Sequence, residues 1–275
     1  MDLALTTDSG AKNITPIILH FILQPYVVSH LQRHRSRSPG AAQGIGKAIA
    51  LRLADDGFDI TKLQEVQADI IEKGRRCGVF PGDVSNEEDV KSMVEGVVDT
   101  LGGLDVMAAN AGVCPTASVL DYTVEQWDRA FAINARGTFL CYQYAAKQMI
   151  KQGRGGRIIG CSSSAGKQGM GMMSLYSATK SAIRGLTQGA ALDLGKFGIT
   201  VNAYAPGAVD TEMSREAAHQ QGNMEEVIKL NVARSAVDYM GQPEDVVGLI
   251  SYLASKEARY MTGQTIGING GWCFD

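Results

Sequence analysis

The amino-acid sequence predicts an α/β protein with a doubly wound parallel sheet, built as a single domain. Three observations lead to this class: apolar runs alternate with helix-like stretches from residue 40 onward, tight glycine-containing turns follow several of the runs, and no internal repeat is present. Strands that alternate with helices form parallel sheets covered on both faces, and right-handed crossovers make such sheets doubly wound. The 275 residues are enough for one large domain of this kind.

The helices are predicted from their ends as well as from their composition. The first begins in a glycine-rich loop and ends at Gly57, a residue type that commonly terminates helices. The third carries three acidic residues in its first turn, where carboxylates interact favourably with the helix dipole. In order, the helices are expected at 44–57, 62–74, 86–102, 123–153 and 174–198.

The strands are predicted as apolar runs that lead into turns. Buried parallel strands are apolar on both faces, which matches "DVMAA", "RIIGC" and "ITVNAYA". Together with their turns, the strand segments are expected at 58–60, 76–85, 104–112, 156–166, 199–207 and 265–271. The carboxyl ends of these strands are where a doubly wound sheet binds its ligands.

Composition excludes several classes of function. The net charge of −3 provides no basic field, so no nucleic-acid partner is expected. Five scattered cysteines without a paired motif indicate free thiols in a reducing compartment, which predicts a cytoplasmic protein. Only His219 lies outside the N-terminal segment, which disfavours a histidine triad and a metal site. The apolar residues 14–28 are too short to span a bilayer, so membrane association is not expected.

A glycine-rich loop precedes the first helix and is suited to a phosphate. Gly40, Gly44 and Gly46 would let the backbone approach a pyrophosphate closely at a helix N-terminus. Such a loop on its own is a weak signal, because glycine turns are common. Two further strand ends carry candidate contacts: Asp83, which could bond an adenine edge, and the "NAG" turn at 110–112.

The strongest chemical signal is the pair Tyr176 and Lys180. Four residues apart on a helix, they share a face, and an ammonium near a phenol is expected to lower the pKa of that phenol. Tyr176 could then exchange a proton with a carbinol oxygen. Ser163 ends the preceding strand, thirteen positions before Tyr176, and could hold the substrate oxygen.

Seven short motifs follow one another along the chain: "GAAQGIG", "GDVS", "NAG", "SSSAG", "YSATK", "PGAVDT" and "MTGQTIGINGG". On these motifs, residues 40–271 resemble the short-chain dehydrogenase/reductase family. The resemblance implies NAD(P)-dependent hydride transfer and a catalytic tetrad of Asn134, Ser163, Tyr176 and Lys180. In it Tyr176 is the acid/base, Lys180 also binds the nicotinamide ribose, and Asn134 holds a proton-relaying water.

The resemblance also implies a set of cofactor contacts and an assembly. The expected cofactor-binding residues are Gly40, Gln43, Gly44, Ile45, Gly46, Asp83, Val84, Asn110, Ala111, Gly112, Tyr176, Lys180, Pro206, Gly207, Val209 and Thr211. Within the family, "VNAYAPG" and "SAGKQG" are most similar to the acetoin/diacetyl reductases (2,3-butanediol dehydrogenases), which implies a small uncharged ketone, diketone or alcohol as substrate. A homotetramer is also implied. Small residues on the helix at 174–198 could meet a partner, or they could simply pack inside the domain.

The sequence departs from the family pattern just before the glycine loop. Pro39 stands where the family has threonine, and the polar stretch "HLQRHRSRS" stands where a buried first strand is expected. We therefore predict an atypical, poorly packed segment over 1–39 and a domain over 40–275. The upstream run "IILHFIL" could supply a substitute strand, although a polar linker separates it from the loop.

The second strand also departs from the pattern, because "FDI" runs directly into the next helix. Asp59 lies inside this short strand, and the acid expected at the strand's end to bind the adenosine ribose is missing. Gln43 offers no cation for a 2′-phosphate, which favours NAD over NADP. Two main alternatives follow: an active reductase of a small carbonyl compound, or an impaired, non-catalytic protein that keeps the fold but lacks a complete cofactor site. A third, less favoured alternative is a membrane-associated reductase anchored by residues 14–28.

Overall fold

The computed structural model describes residues 16–20, 44–61, 64–222 and 224–274. Within these residues one parallel sheet of seven strands runs in the order β3-β2-β1-β4-β5-β6-β7, which confirms the predicted doubly wound class. The strands are β1 Pro16–His20, β2 Asp59–Thr61, β3 Cys77–Gly78, β4 Val106–Ala109, β5 Gly156–Cys161, β6 Ile199–Pro206 and β7 Thr265–Ile268. The α-helices are α1 Gly44–Asp55, α2 Gln64–Glu72, α3 Glu87–Leu101, α4 Val124–Ala130, α5 Gly137–Gln152, α6 Ser174–Leu194, α7 Glu212–Gln220, α8 Met224–Arg234 and α9 Pro243–Ala254.

The first-strand position is filled by Pro16–His20, from the apolar run upstream of the polar linker. Ile17 pairs with Ile60 of β2 on one side and with Val106 of β4 on the other. A buried strand such as β4 cannot leave its backbone donors and acceptors unpaired, and an apolar segment can fill the gap without burying charges. The polar residues 30–38 and the loop residues Gly40 and Gln43 lie outside the described residues. The boundary at residue 39 therefore stays a prediction.

The second strand is short, as the sequence predicts, and its acidic residue has a structural partner. Asp59 opens β2 with 1% of its surface exposed. Its Oδ2 lies 2.7 Å from Nη2 of Arg76, and its Oδ1 accepts a 2.9 Å hydrogen bond from the backbone N–H of Arg76. The carboxylate thus ties β2 to the residue just before β3, at the amino end of the strand.

The long helix predicted over 123–153 is wrong in one respect, because it is interrupted. A π-helical segment, Phe131–Arg136, lies between α4 and α5. Such a segment accommodates one extra residue per turn and re-aims the side chains around it. Asn134 lies in this segment with none of its surface exposed, so the irregular turn carries one of the predicted site residues.

Consecutive strand residues face opposite layers of helices. Val106 packs with α1, α2 and α9, whereas the next residue, Met107, packs with α3 and α5. Ile159 and Ile158 of β5 divide in the same way. Both faces of the sheet are therefore buried, and the ligand site is left to the edge formed by the carboxyl ends of the strands.

Candidate active site

A cavity of about 260 Å³ opens at the carboxyl edge of the sheet. It is lined by the start of α1, by the turns after β4 and β5, by α6 and by the segment from β6 into α7. Of the residues predicted from sequence, its walls contain Gly44, Ile45, Gly46, Asn110, Gly112, Ser163, Tyr176, Lys180, Pro206, Gly207, Val209 and Thr211. The topology thus brings most of the predicted site to one place.

Tyr176 and Ser163 are in direct contact within this cavity. Ser163 follows β5, and its Oγ accepts a 3.1 Å hydrogen bond from the backbone N–H of Ala165, which restrains the side chain at the start of a short 3-10 turn. A hydrogen bond also joins the Ser163 side chain to the Tyr176 hydroxyl. Both hydroxyls are therefore presented together to a ligand oxygen.

Lys180 lies one helical turn after Tyr176 and is almost completely buried, with 2% of its surface exposed. Its Nζ donates a 2.8 Å hydrogen bond to the backbone oxygen of Cys161 and lies 5.5 Å from the centroid of the Tyr176 ring. A Cβ on Gly112 would come within 3.3 Å of this Nζ. Glycine at position 112 therefore leaves room for the ammonium beneath the cavity floor.

Asn134 is held rigidly next to this group. Its Oδ1 accepts from the backbone N–H of Val113 at 2.8 Å, and its Nδ2 donates to the backbone oxygen of Val113 at 2.9 Å. Nδ2 also donates to Oγ1 of Thr179 at 2.9 Å. The side chain links the turn after β4 to α6, and its Oδ1 would lie 3.2 Å from a Cβ on Gly112.

The pKa of Tyr176 differs from the sequence-based expectation. Burial raises this pKa well above its ordinary value, charges on Cys114 and Cys161 would raise it further, and only the hydrogen bond from Ser163 lowers it. Lys180 does not contribute the expected lowering of this pKa, and its ammonium donates to the backbone oxygen of Cys161. The phenol is accordingly held in its protonated form.

Three predicted cofactor residues lie outside the wall of the described cavity. Asp83 uses its Oδ1 to accept from the backbone N–H and the hydroxyl of Ser85, both at 2.8 Å. Val84 is buried against Gly137, and Ala111 packs into the core beside α3 and α5. For these positions the structure provides local packing and turn contacts. Their cofactor roles stay predictions, as do those of Gly40 and Gln43, which lie outside the described residues.

Sequence reasoning missed several residues of the cavity wall. Cys114 stands close to the tetrad, and burial raises the pKa of its thiol to about 12 although the nearby Lys180 ammonium lowers it. Glu212 has one carboxylate oxygen, Oε2, that is buried without a hydrogen-bond partner among the described residues. Trp272 also lines the cavity, from the end of the chain. Of these, only Glu212 was indicated by the sequence, because it belongs to the segment 212–240 that was expected to form the substrate wall.

Comparison with known proteins adds to this geometry. Residues 40–273 match the family model described as Enoyl-(Acyl carrier protein) reductase. A short-chain dehydrogenase/reductase of Hericium erinaceus, eriH, is 48% identical over 244 residues, which cover 84% of this chain and 94% of the relative. The chain belongs to the short-chain dehydrogenase/reductase family. It is an oxidoreductase of the NAD(P)-dependent kind that defines the family.

Two further relatives of the family are named for small carbonyl compounds. The diacetyl reductase [(S)-acetoin forming] of Staphylococcus epidermidis is 38% identical over 245 residues, covering 84% of this chain and 95% of the relative. The crystal structure of the acetoin dehydrogenase YohF from Salmonella typhimurium superposes with a TM-score of 0.76 at 30% identity, covering 94% of this chain and 97% of that one.

The described residues fit the nicotinamide and pyrophosphate portions of the family's cofactor. Gly44, the first residue of α1, has φ of +62°, and a Cβ there would lie 3.1 Å from Cγ2 of Thr211. The narrow space between α1 and Thr211 thus requires glycine, and the free N–H groups at a helix N-terminus suit a phosphate. For the adenosine ribose, the described part of β2 offers no free acid, since Asp59 is bound to Arg76 and the strand ends at Thr61, followed in sequence by Lys62.

Proposed function

We propose that this short-chain dehydrogenase/reductase interconverts a small ketone or diketone, of the acetoin or diacetyl type, and its alcohol. One observation carries the proposal: the hydrogen-bonded pair Tyr176 and Ser163 faces a cavity whose floor holds the buried Lys180. Two hydroxyls on one side of a cavity, one of them a protonated phenol, suit a carbonyl oxygen that gains a proton. The likeness to a diacetyl reductase supports the same substrate class.

Each residue of the proposed site has a separate role in the reaction. When bound, the nicotinamide supplies the hydride. Ser163 holds the substrate oxygen, and Tyr176 donates the proton that turns this oxygen into a hydroxyl. The raised pKa of Tyr176 keeps that proton in place until the substrate oxygen becomes basic. Lys180 supplies a fixed positive charge from below, and Asn134 holds the turn after β4 against α6.

The wall of the cavity favours a compact and uncharged substrate. Met170, Met173 and Met213 contribute flexible apolar surface to it. Glu212 of α7 and Arg234 of α8 are charged residues of the same wall. A small dicarbonyl compound needs only a shaped apolar wall and one pair of donors for its oxygen.

We propose NAD rather than NADP as the preferred dinucleotide, because Gln43 in the glycine loop is neutral and offers no cation to a 2′-phosphate. We also propose a cytoplasmic homotetramer. Gly185 and Gly189 of α6 are exposed, and a Cβ on either would meet no atom within 4 Å. These glycines do not pack inside the protomer, which supports a contact with a second copy. Within the described residues no helix has the length and apolar character needed to cross a bilayer.

A second candidate is an impaired family member that keeps the fold and binds dinucleotide poorly. The observation that favours it is the three-residue β2 with its only acid committed to Arg76. The ribose then lacks one charge-assisted hydrogen bond, which is worth about 2 kcal/mol.

Two measurements on the purified full chain separate the candidates. The first is titration with NADH and NADPH, and the second is reduction of diacetyl and acetoin by wild type and by Tyr176→Phe. The reductase proposal expects binding, turnover by wild type, and loss of turnover with unchanged dinucleotide affinity in the variant. Binding without turnover on a panel of small ketones and polyols would reject the substrate class, and absence of binding would favour the impaired protein.

A further inference from the structure

Tyr204 reaches across the sheet beneath the cavity. It lies in β6, paired in register with Cys161 of β5 and Ile266 of β7, and none of its surface is exposed. Its hydroxyl donates a 2.5 Å hydrogen bond to Oδ1 of Asn110, the residue that follows β4. Because β5 lies between β4 and β6, this bond links two strands that are not neighbours in the sheet.

This bond determines which end of the Asn110 amide is available to a ligand. An asparagine side chain carries one acceptor oxygen and one NH₂ donor, and the oxygen is occupied by Tyr204. Asn110 lines the cavity, and its Nδ2 donates no hydrogen bond to any of the described residues. The free donor is therefore the group that a ligand meets at this position.

A donor here matches the chemistry of the neighbouring wall. Gly44, Ile45 and Gly46 line the same cavity at the N-terminus of α1, where backbone N–H groups and the helix dipole favour acceptor atoms. Phosphate and ribose oxygens are such acceptors. With the amide reversed, the Asn110 oxygen would face them and repel them.

The Tyr204 hydroxyl is also linked to the catalytic group. It is hydrogen-bonded to the Cys161 side chain, and the backbone oxygen of Cys161 accepts from Lys180. Burial raises the pKa of Tyr204 well above its ordinary value, so the hydroxyl keeps the proton that it donates.

We propose that Tyr204 is a positioning residue for dinucleotide binding, whose buried hydroxyl holds Asn110 with its NH₂ group toward the cavity. The proposal rests on dinucleotide binding in this cavity and is independent of the carbonyl substrate. Tyr204 would then influence cofactor affinity from the core of the sheet, without contacting the ligand itself.

The test is the dissociation constant of NADH and NADPH, measured by fluorescence titration of the full chain. Tyr204→Phe removes only the hydroxyl and is expected to weaken binding about tenfold, the effect of one lost hydrogen bond and a freely rotating amide. Tyr142→Phe is the matched control, since Tyr142 is also a buried tyrosine and its hydroxyl bonds Thr187 at 3.0 Å. The control should bind dinucleotide as wild type does.

A double-mutant cycle separates positioning from general destabilisation. In an Asn110→Ala background, Tyr204→Phe should change the dissociation constant less than about twofold, because its partner is already gone. Additive effects, or equal weakening by Tyr204→Phe and Tyr142→Phe, would overturn the proposal. So would a wild-type chain that binds neither dinucleotide.

Two further measurements remain informative even if the Tyr204→Phe variant does not bind the cofactor. Asn110→Asp keeps an acceptor for Tyr204 and replaces the donor NH₂ with oxygen, so it should weaken dinucleotide binding more than tenfold; unchanged binding would contradict the proposal. In the cofactor-free protein, the side-chain NH₂ resonances of Asn110 should move in Tyr204→Phe and stay in place in Tyr142→Phe. If NADH binding follows these expectations while diacetyl is not reduced, only the substrate assignment fails.

Discussion

Lys180 donates a 2.8 Å hydrogen bond from its Nζ to the backbone oxygen of Cys161. The bond joins the first third of α6 to the last residue of β5, directly before the serines that lead to Ser163. It directs the ammonium to the backbone instead of to the phenol. We expect the lysine to act on Tyr176 through its position near the ring, 5.5 Å from the centroid, and to anchor the helix that carries the tyrosine.

Replacement of this lysine tests both roles. We expect Lys180→Met to lower turnover of the carbonyl substrate by at least about a hundredfold, since a fixed charge beside the acid/base is lost. Steady-state kinetics give this value, and thermal unfolding reports the anchoring role. Lys147→Met, an exposed lysine on α5, is the control and should leave kcat within about twofold. A fully active Lys180→Met chain would remove Lys180 from the proposed site.

Asp59 is predicted to serve stability and not cofactor binding. Asp59→Asn should lower the free energy of unfolding by about 2 kcal/mol, because a neutral amide replaces the buried carboxylate and the ion pair with the half-exposed Arg76 is lost. Urea unfolding measures this loss. The dissociation constant of NADH should stay within about twofold of wild type. A large loss of NADH affinity in a folded Asp59→Asn chain would show that Asp59 contacts the ribose.

Any side chain at Gly44 is predicted to be destabilising, because of the backbone conformation there and the close approach of Thr211. Gly44→Ala places a Cβ 3.1 Å from Thr211 Cγ2 at a φ of +62°, so we expect a loss of about 1 kcal/mol in unfolding free energy and weaker dinucleotide binding. Gly248→Ala is the control: it lies exposed in α9 with nothing within 4 Å of an added Cβ. There alanine should stabilise the chain by about 0.5–1 kcal/mol. Equal effects of the two substitutions would contradict this reasoning.

The buried thiol of Cys141 predicts a loss of stability at alkaline pH. Burial raises its pKa from 9.0 to about 12, so between these values the unfolded chain releases a proton that the folded chain keeps. The stabilisation is complete below pH 9 and is lost as the pH rises toward 12, by up to about 1.4 kcal/mol per pH unit. Urea unfolding at several pH values should show a shallower slope for Cys141→Ala. Parallel slopes would refute the assignment.

The exposed face of α6 predicts the assembly. Ala182, Gly185, Gly189 and Leu192 lie on one side of the helix, and Leu192 has 86% of its surface exposed. Gly189→Arg should reduce the mass found by light scattering, because a long charged side chain cannot be buried between two such faces. Thr100→Arg on the exposed side of α3 is the control and should keep the wild-type mass. A monomeric wild type would end this proposal.

Much of the site could be predicted from sequence because its chemistry is local. Tyr176 and Lys180 share a helix face by spacing alone, and the glycine turns and strand ends mark the carboxyl edge of any doubly wound sheet. The irregular turn around Asn134 could not be predicted, since "AFAINARG" continues a helical pattern and the side chain of Asn134 bonds Val113, twenty-one positions away in sequence. The direction of the Tyr176 pKa shift could not be predicted for a similar reason, because spacing along a helix does not reveal which group an ammonium donates to.

By itself, the sequence determined the alternation of strands and helices, the family's motifs in their order, the residues proposed as the catalytic group and the lack of an acid at the end of β2. These follow from residue types at short spacings, which act through local geometry. Only the tertiary structure decided that Pro16–His20 fills the first-strand position, that Asp59 binds Arg76, and that Tyr204 holds Asn110. Each of these depends on groups far apart in the chain that are brought together because a buried strand edge, a buried carboxylate and a buried hydroxyl all require a partner.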